Sequence, residues 1–268
     1  MYEAMMTCAV AGGSRRRGEM RSKPMLWLLV LVAILLLPHL WVAGAVHGGP
    51  YKHWSVARWD STGLAPDPAT TPEPVVQVYA ARTWGWKGIF AVHSWIILKR
   101  RGAPRYDRYE VVGWGVGRGA PAIRRNMREP DGFWAGNRPR LLLERRGPGV
   151  ELLIDQIEAA IASYPYRQEY RTWPGPNSNT FIAHIARSVP ALGLELPPMA
   201  IGKDYLNNGS LLATTPSGTG LQFSLFGLFG IAIARAEGLE INLLGLTIGI
   251  DPLGLAIKLP GIGRLGLT

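Results

Sequence analysis

The feature that most constrains this chain is the run Met25–Val46, MLWLLVLVAILLLPHLWVAGAV, which holds 22 residues and no formal charge. Crossing a bilayer core takes about 20 apolar residues in a helix. Arg15, Arg16, Arg17, Arg21 and Lys23 precede the run. By the positive-inside tendency the N-terminus then stays in the cytoplasm and the rest is exported. Pro38 and His39 fall late in the span and weaken the helix without abolishing it. The competing reading is a cleaved signal peptide with Ala43-Gly44-Ala45 as its small-residue site. The length of the run favours a retained, single-pass anchor.

Charge and cysteine content narrow the chemistry. The net charge is +10, with a leader of residues 1–24 that carries five Lys/Arg against two acids. A basic surface meets nucleic acid, anionic lipid or acidic glycans. No nucleic-acid motif accompanies it, so the expected partners are membrane lipid, an envelope glycan or peptide, or another envelope protein. The one cysteine, Cys8, precedes the apolar run. That excludes an intrachain disulfide framework, a cysteine metal cage and a thiol nucleophile in the main domain. The five histidines show no ligand spacing, so neither metal nor cofactor is expected.

The exported part divides into a linker, a core and an extension. Residues 47–74 are rich in Gly, Pro, Ser and Thr and read as a linker. In the core, 75–206, Val75–Ala80, Gly88–Lys99 and Tyr106–Val116 read as strands. Gly113–Gly119 has glycine spacings near those of a phosphate loop but reads better as a tightly bent strand end. Gly149–Tyr164 carries Leu153, Ile157 and Ile161 at helical spacing, and Pro165 stops it. Asn179–Ser188 reads as a second helix after the turn Pro174-Gly175-Pro176-Asn177. Residues 207–268 alternate with period two and predict a three- or four-stranded antiparallel meander. A phase slip after Leu244-Gly245 is read as a bulge. Leu221–Ala234, the rival for a second span, is short for one and broken by glycines. The exposed face of this meander is apolar enough to lie on lipid or on a partner. The fold class is therefore α+β.

Two local patterns carry the chemistry: His93 within FAVHSWIIL, and Ser178 within WPGPNSNTFI. A hydroxyl at the start of a helix gains from the positive end of the dipole, and nearby backbone N–H groups can hold an oxyanion. A histidine on a neighbouring strand serves as base. A third polar group on the returning strand orients that base. Asp107, Tyr109 and Glu110 are candidates there, and Glu110 is preferred because a carboxylate would stabilise an imidazolium. Asn177 and Asn179 flank the hydroxyl as binding candidates. The Pro/Gly/Arg loop 120–140 adds Arg124, Arg125, Arg128, Trp134, Asn137 and Arg138 as a candidate groove for an anionic headgroup.

The order of His-strand, polar strand and nucleophile helix resembles the circularly permuted papain-like fold over about residues 75–190. That fold includes cell-wall peptidases of the NlpC kind and lecithin–retinol acyltransferase relatives. The resemblance implies a papain-like core, with Ser178 where the cysteine would be. A hydroxyl has a far higher pKa than a thiol, so the thiolate mechanism does not carry over. Across residues 75–266, the segments PGPNSNTF, LPPMAIGKDYL, GLEINLLGLTIGIDP and KLPGIGRLG resemble an uncharacterised family of bacterial membrane proteins, a domain of unknown function. That likeness implies a bacterial envelope protein and supplies no activity; joined to the positive-inside reading it gives a single-pass inner-membrane protein with its main domain on the periplasmic side.

Three functions compete. One is a hydrolase or acyltransferase of amide or ester bonds in envelope material, using Ser178, His93 and Glu110. The second is a non-catalytic module that binds anionic lipid or glycan through the arginine loop. The third is a structural partner protein that uses the C-terminal sheet. Against the first stands the plain alternative that Ser178 or Asn177 only caps a helix.

Overall fold

The structure, a computed structural model, describes residues 16–46 and 54–267. The start of the basic leader with Cys8, and residues 47–53 of the linker, lie outside the described residues. Helix α1 covers Arg16–Val46, and its apolar stretch Lys23–Gly44 is long and apolar enough to cross a membrane. Leu35, Pro38, His39 and Val42 are buried, a stripe at i, i+3, i+4 and i+7 that packs on the domain. The His39 ring stacks on Phe90 at 4.4 Å and lies against Gly261. Arg82 braces that contact by donating to the carbonyls of Gly88 (2.6 Å) and Gly261 (2.8 Å).

The core begins with β1 (Val75–Arg82), β2 (Val92–Lys99), β3 (Asp107–Val111), β4 (Ile123–Arg125) and β5 (Arg140–Arg146). They form one antiparallel sheet in the order β4-β3-β2-β1-β5. Every residue of β2 is buried, because both faces of the sheet are covered. Val92, Ile96 and Leu98 join the core beneath α2 (Val150–Ala162) and α3 (Ser178–Ser188). Trp95 and Ile97 point the other way, into a cluster with Tyr79, Tyr106 and Trp134. The two helices follow the expected bounds to within about two residues. β2 starts at Val92 rather than Gly88, because Gly85–Ile89 curls into a 3-10 turn. Strands β4 and β5 add two edges within and after the arginine loop.

The C-terminal sheet is larger than three or four strands. It has seven: β6 (Leu212–Thr214), β7 (Gly220–Leu225), β8 (Phe229–Ala234), β9 (Gly238–Leu243), β10 (Leu246–Asp251), β11 (Ala256–Leu259) and β12 (Gly263–Gly266). Each pairs with its sequence neighbour. The phase slip at Leu244-Gly245 is a tight two-residue hairpin turn and not a bulge. Leu243 pairs with Leu246, and both turn residues have positive φ (54° and 88°).

This sheet is built with its polar side inward. One registered row reads Gln222, Ala232, Glu240, Gly249, Lys258 and Arg264 across β7–β12. Gln222, Glu240 and Lys258 in it are buried. They meet the segment after α3: Gln222 bonds Asp204, and Glu240 bridges Lys203 and Lys258. The adjacent row reads Leu221, Ile233, Leu239, Ile250, Ile257 and Leu265, and all six are exposed. Burial of apolar area ordinarily sets which side of a sheet faces in; here paired charges occupy that side.

Candidate active site

Strand alternation sends His93 and Trp95 to the aromatic face of the first sheet, and β3 sends Arg108 and Glu110 to the same face. His93 Nε2 lies 2.8 Å from Glu110 Oε2. Arg108 grips that carboxylate with two hydrogen bonds, Nε to Oε1 at 2.8 Å and Nη2 to Oε2 at 3.0 Å. Arg108 also donates to the Glu129 carbonyl (2.7 Å) and lies over the Trp95 ring at 4.1 Å. All three ionisable side chains are buried. Burial alone would raise the Glu110 pKa, but the Arg108 guanidinium and the His93 hydrogen bond outweigh it and hold the carboxyl at about 2. Burial pushes the His93 pKa below its usual value, against the pull of Glu110, with Arg108 adding in the same direction as burial. His93 is therefore neutral near pH 7, so Nε2 is the protonated nitrogen and donates to the carboxylate. Its Nδ1 keeps the lone pair.

The imidazole is clamped from the side as well. Its ring stacks on Trp134 at 3.6 Å and 9°, and Trp134 stacks on Trp114 at 5.6 Å. Trp134 is set by a tight turn in which Trp134 and Asn137 exchange both backbone hydrogen bonds. Asn137 therefore acts on this site through Trp134, and its amide donates to the Trp134 carbonyl.

Ser178 is the first residue of α3, with Asn177 as N-cap. The Asn177 Oδ1 accepts from the N–H groups of Asn179 and Thr180, and Thr180 Oγ1 accepts from the Asn177 N–H. The Asn177 Nδ2 donates to the carbonyls of Thr172 and Ile201, both at 3.1 Å. Gly202 is required beside it, since a Cβ there, already strained by a φ of +97°, would meet the Asn177 amide at 2.4–2.7 Å. Asn179 donates to the carbonyls of Val92 and Ile201 and accepts from Ser94, which stitches α3 onto β2. Both asparagine side chains are thus occupied by the framework. Replacing Asn177 by alanine is expected to cost about 1–2 kcal/mol. A thermal melt followed by circular dichroism should show it as a drop of about 2–4 °C per kcal/mol.

The Ser178 hydroxyl and its own N–H make no hydrogen bond among the described residues. The expected oxyanion donors therefore reduce to the Ser178 N–H, because the next two N–H groups are spent on the cap. α3 covers the face of β2 opposite His93. Ser178 and His93 line one cleft of about 330 Å3, whose walls include Trp86, Phe90, Trp173 and Leu244. His93 also borders an adjoining, wider recess of about 1020 Å3, lined by Trp59, Trp114, Lys87, Arg118 and Arg128.

The arginine loop does not converge on one groove. Arg124 donates to the carbonyls of Pro121 and Trp114, Arg125 pairs with Asp107 at 2.9 Å, and Arg138 is exposed. Arg128 alone of these reaches the recess, over the Trp59 ring at 4.0 Å. Arg108, Trp114 and Tyr170 also surround His93 and escaped the sequence reading. The signal for Arg108 is its i, i+2 spacing from Glu110 on one strand face. No group of three or more His, Cys, Asp or Glu with metal-holding geometry occurs among the described residues.

No curated protein matches the chain, and no solved structure does. Residues 73–205, the stretch that carries His93, Glu110 and Ser178, match a family model described as Protein of unknown function (DUF3750).

Proposed function

We propose that this protein is a serine acyl-transfer enzyme, a hydrolase or acyltransferase of amide or ester bonds in bacterial envelope material. Its N-terminal helix holds it in the inner membrane, with the domain on the periplasmic side. The observation that carries the reading is the buried Arg108–Glu110–His93 chain, which ends on a cleft that Ser178 also lines. The order of strand, strand and helix supports a permuted papain-like core in which serine replaces cysteine.

On this reading each residue has a defined role. Glu110 stays ionised and fixes the His93 tautomer, so that Nδ1 presents a lone pair. As the Ser178 oxygen attacks a carbonyl carbon, Nδ1 takes the hydroxyl proton. The leaving alcohol or amine then receives that proton from the imidazolium, which Glu110 stabilises. The oxyanion faces the Ser178 N–H and the positive end of α3. Lys87, Arg118 and Arg128 in the adjoining recess favour a substrate with an anionic group, and the tryptophans there favour one with a flat face.

The test is covalent labelling of the full chain in detergent with a fluorophosphonate probe, read by mass spectrometry. Labelling at Ser178 is expected, and its loss in Ser178→Ala and in His93→Ala. Undiminished labelling in Ser178→Ala would sink the reading, as would an unlabelled wild type. A cysteine variant sharpens it. In a Cys8→Ser background, Ser178→Cys should be alkylated by iodoacetamide at pH 7 faster than a surface cysteine, because the helix end and His93 favour the thiolate.

A further inference from the structure

We propose that the outer face of β7–β12 lies on the lipid bilayer beside α1. It would then be a second membrane contact, distinct from the helix itself. The inward side of this sheet is saturated with charge and amide pairs, whereas the outward side is apolar strand after strand. Besides the exposed row from Leu221 to Leu265, the next row carries Phe223, Ile231, Ile241 and Ile248. A continuous apolar face of this kind marks an interaction surface.

The course of α1 argues for lipid as the occupant. Lys23–Gly44 is 22 residues, about 33 Å at 1.5 Å per residue, which matches a hydrocarbon core of about 30 Å. Burial against the domain begins at Leu35. The part that projects before it, Lys23–Ile34, reaches only about 18 Å. For the apolar stretch to cross the core, Leu35–Gly44 must lie within the membrane together with whatever they pack on. They pack on β11 and on the turn that holds Phe90. The sheet that contains β11 is thereby carried to the bilayer. Its ladders are hydrogen-bonded strand to strand, so its face offers lipid no unpaired backbone group. Trp86 and Trp173, 69% and 50% exposed, line the Ser178 cleft together with Leu244 and Leu246 at the end of this sheet. Tryptophans of this kind favour a membrane–water boundary. Trp173 is tied to the sheet by its indole N–H, which donates to the Leu244 carbonyl at 2.9 Å.

The experiment uses the full chain, Cys8→Ser, in nanodiscs of phosphatidylethanolamine and phosphatidylglycerol. Nitroxide labels are attached singly at Ile233→Cys, Leu239→Cys and Ile257→Cys. A label at Gln156→Cys, exposed on α2 of the other sheet, is the water-facing control. Collision with oxygen and with a water-soluble nickel chelate is read by electron spin resonance. The expected result is an oxygen-to-nickel ratio several-fold higher at the three sheet positions than at the control. Equal ratios at all four positions would overturn the proposal. Label-to-label distances that reveal two copies packed face to face would overturn it too, in favour of a dimer. The labels sit on exposed side chains, so the fold tolerates them, and circular dichroism of each labelled protein confirms it. The outcome is independent of Ser178, because Ser178→Ala should give the same ratios.

Discussion

Glu240→Ala is expected to lower stability by about 3–5 kcal/mol, a cost that follows from removing one partner of buried ion pairs. Glu240 accepts from Lys203 Nζ through Oε2 and from Lys258 Nζ through Oε1 at 2.7 Å. Both ammonium groups are buried, and Lys258 is further held by Glu195 at 2.6 Å and by the Glu237 carbonyl at 2.7 Å. Without Glu240, Lys203 loses its carboxylate while out of reach of water. The total stability of a domain is about 5–15 kcal/mol, so the loss is a large share of it. A melt of the variant in detergent should fall by about 10 °C. Replacing all three charges together, as Glu240→Leu with Lys203→Met and Lys258→Met, should recover much of that loss, because no buried ammonium is left without its carboxylate and Glu195, which loses Lys258, is 31% exposed and reaches water. The same network gives a pH signature. Burial would raise the Glu240 pKa, but the two ammonium groups hold it below the usual carboxylate value. A lowered carboxyl pKa adds stability above the unfolded value of about 4.5, and that stability is lost as pH falls through the folded value. A wild-type melting temperature flat down to pH 3 would contradict this assignment.

If Ser178 and His93 act as proposed, Glu110→Gln is expected to slow fluorophosphonate labelling of Ser178 by about 10³–10⁴-fold, the scale of a carboxylate-to-amide change behind a catalytic histidine. The carboxylate can only accept, so it keeps the His93 proton on Nε2. A glutamine can turn its NH2 toward Nε2, which then has to offer a lone pair and leave the proton on Nδ1. The base is present in the variant but in the wrong tautomer. The labelling rate of the wild type should hold level as pH falls through 6.5 and drop only below it, since burial lowers the His93 pKa. An acid limb centred above pH 7 would mean that His93 is not the base. Glu110→Asp shortens the reach to His93 and should fall between the wild type and the glutamine variant.

The sequence made part of this site legible, for identifiable reasons. His93 and Glu110 lie on strands whose β-branched and aromatic residues are hard to read as anything else. A hairpin brings such strands together, and the structure sets the two groups 2.8 Å apart. Asp107 and Tyr109 leave β3 on the opposite side from Glu110, and Asp107 pairs with Arg125 at the surface. The hidden member was Arg108. Arginine is seldom buried, so nothing about its type announces a side chain enclosed between Trp95 and Glu110. The arginine loop misled in the opposite sense. A cluster in sequence became separate contacts in space, because the positive-φ turn at Ala135-Gly136 and the short β4 send its members in different directions. In the C-terminal sheet the period of two was plain, and with it the two faces. An apolar exposed face was part of that reading, but its cause was not: the polar row is turned inward by partners at Glu195, Lys203 and Asp204, on the segment between α3 and β6. Leu244-Gly245 lacks the Asn-Gly signature of a two-residue turn, and its slip in phase passed for a bulge.

The inverted C-terminal sheet also dictates an order of assembly. Every strand from β6 to β12 pairs with its neighbour in sequence, so its hairpins are local and quick to form. Its inner surface cannot satisfy itself alone, because Lys203, which pairs with Glu240, and Glu195, which pairs with Lys258, lie on the segment 195–203 that follows α3. The first sheet and its two helices therefore have to be docked before the meander can shed the water around its charges. Until then the ribbon stays hydrated on one side and apolar on the other. The charged row thus makes closure of the meander depend on the chain that carries Ser178 and the segment after it.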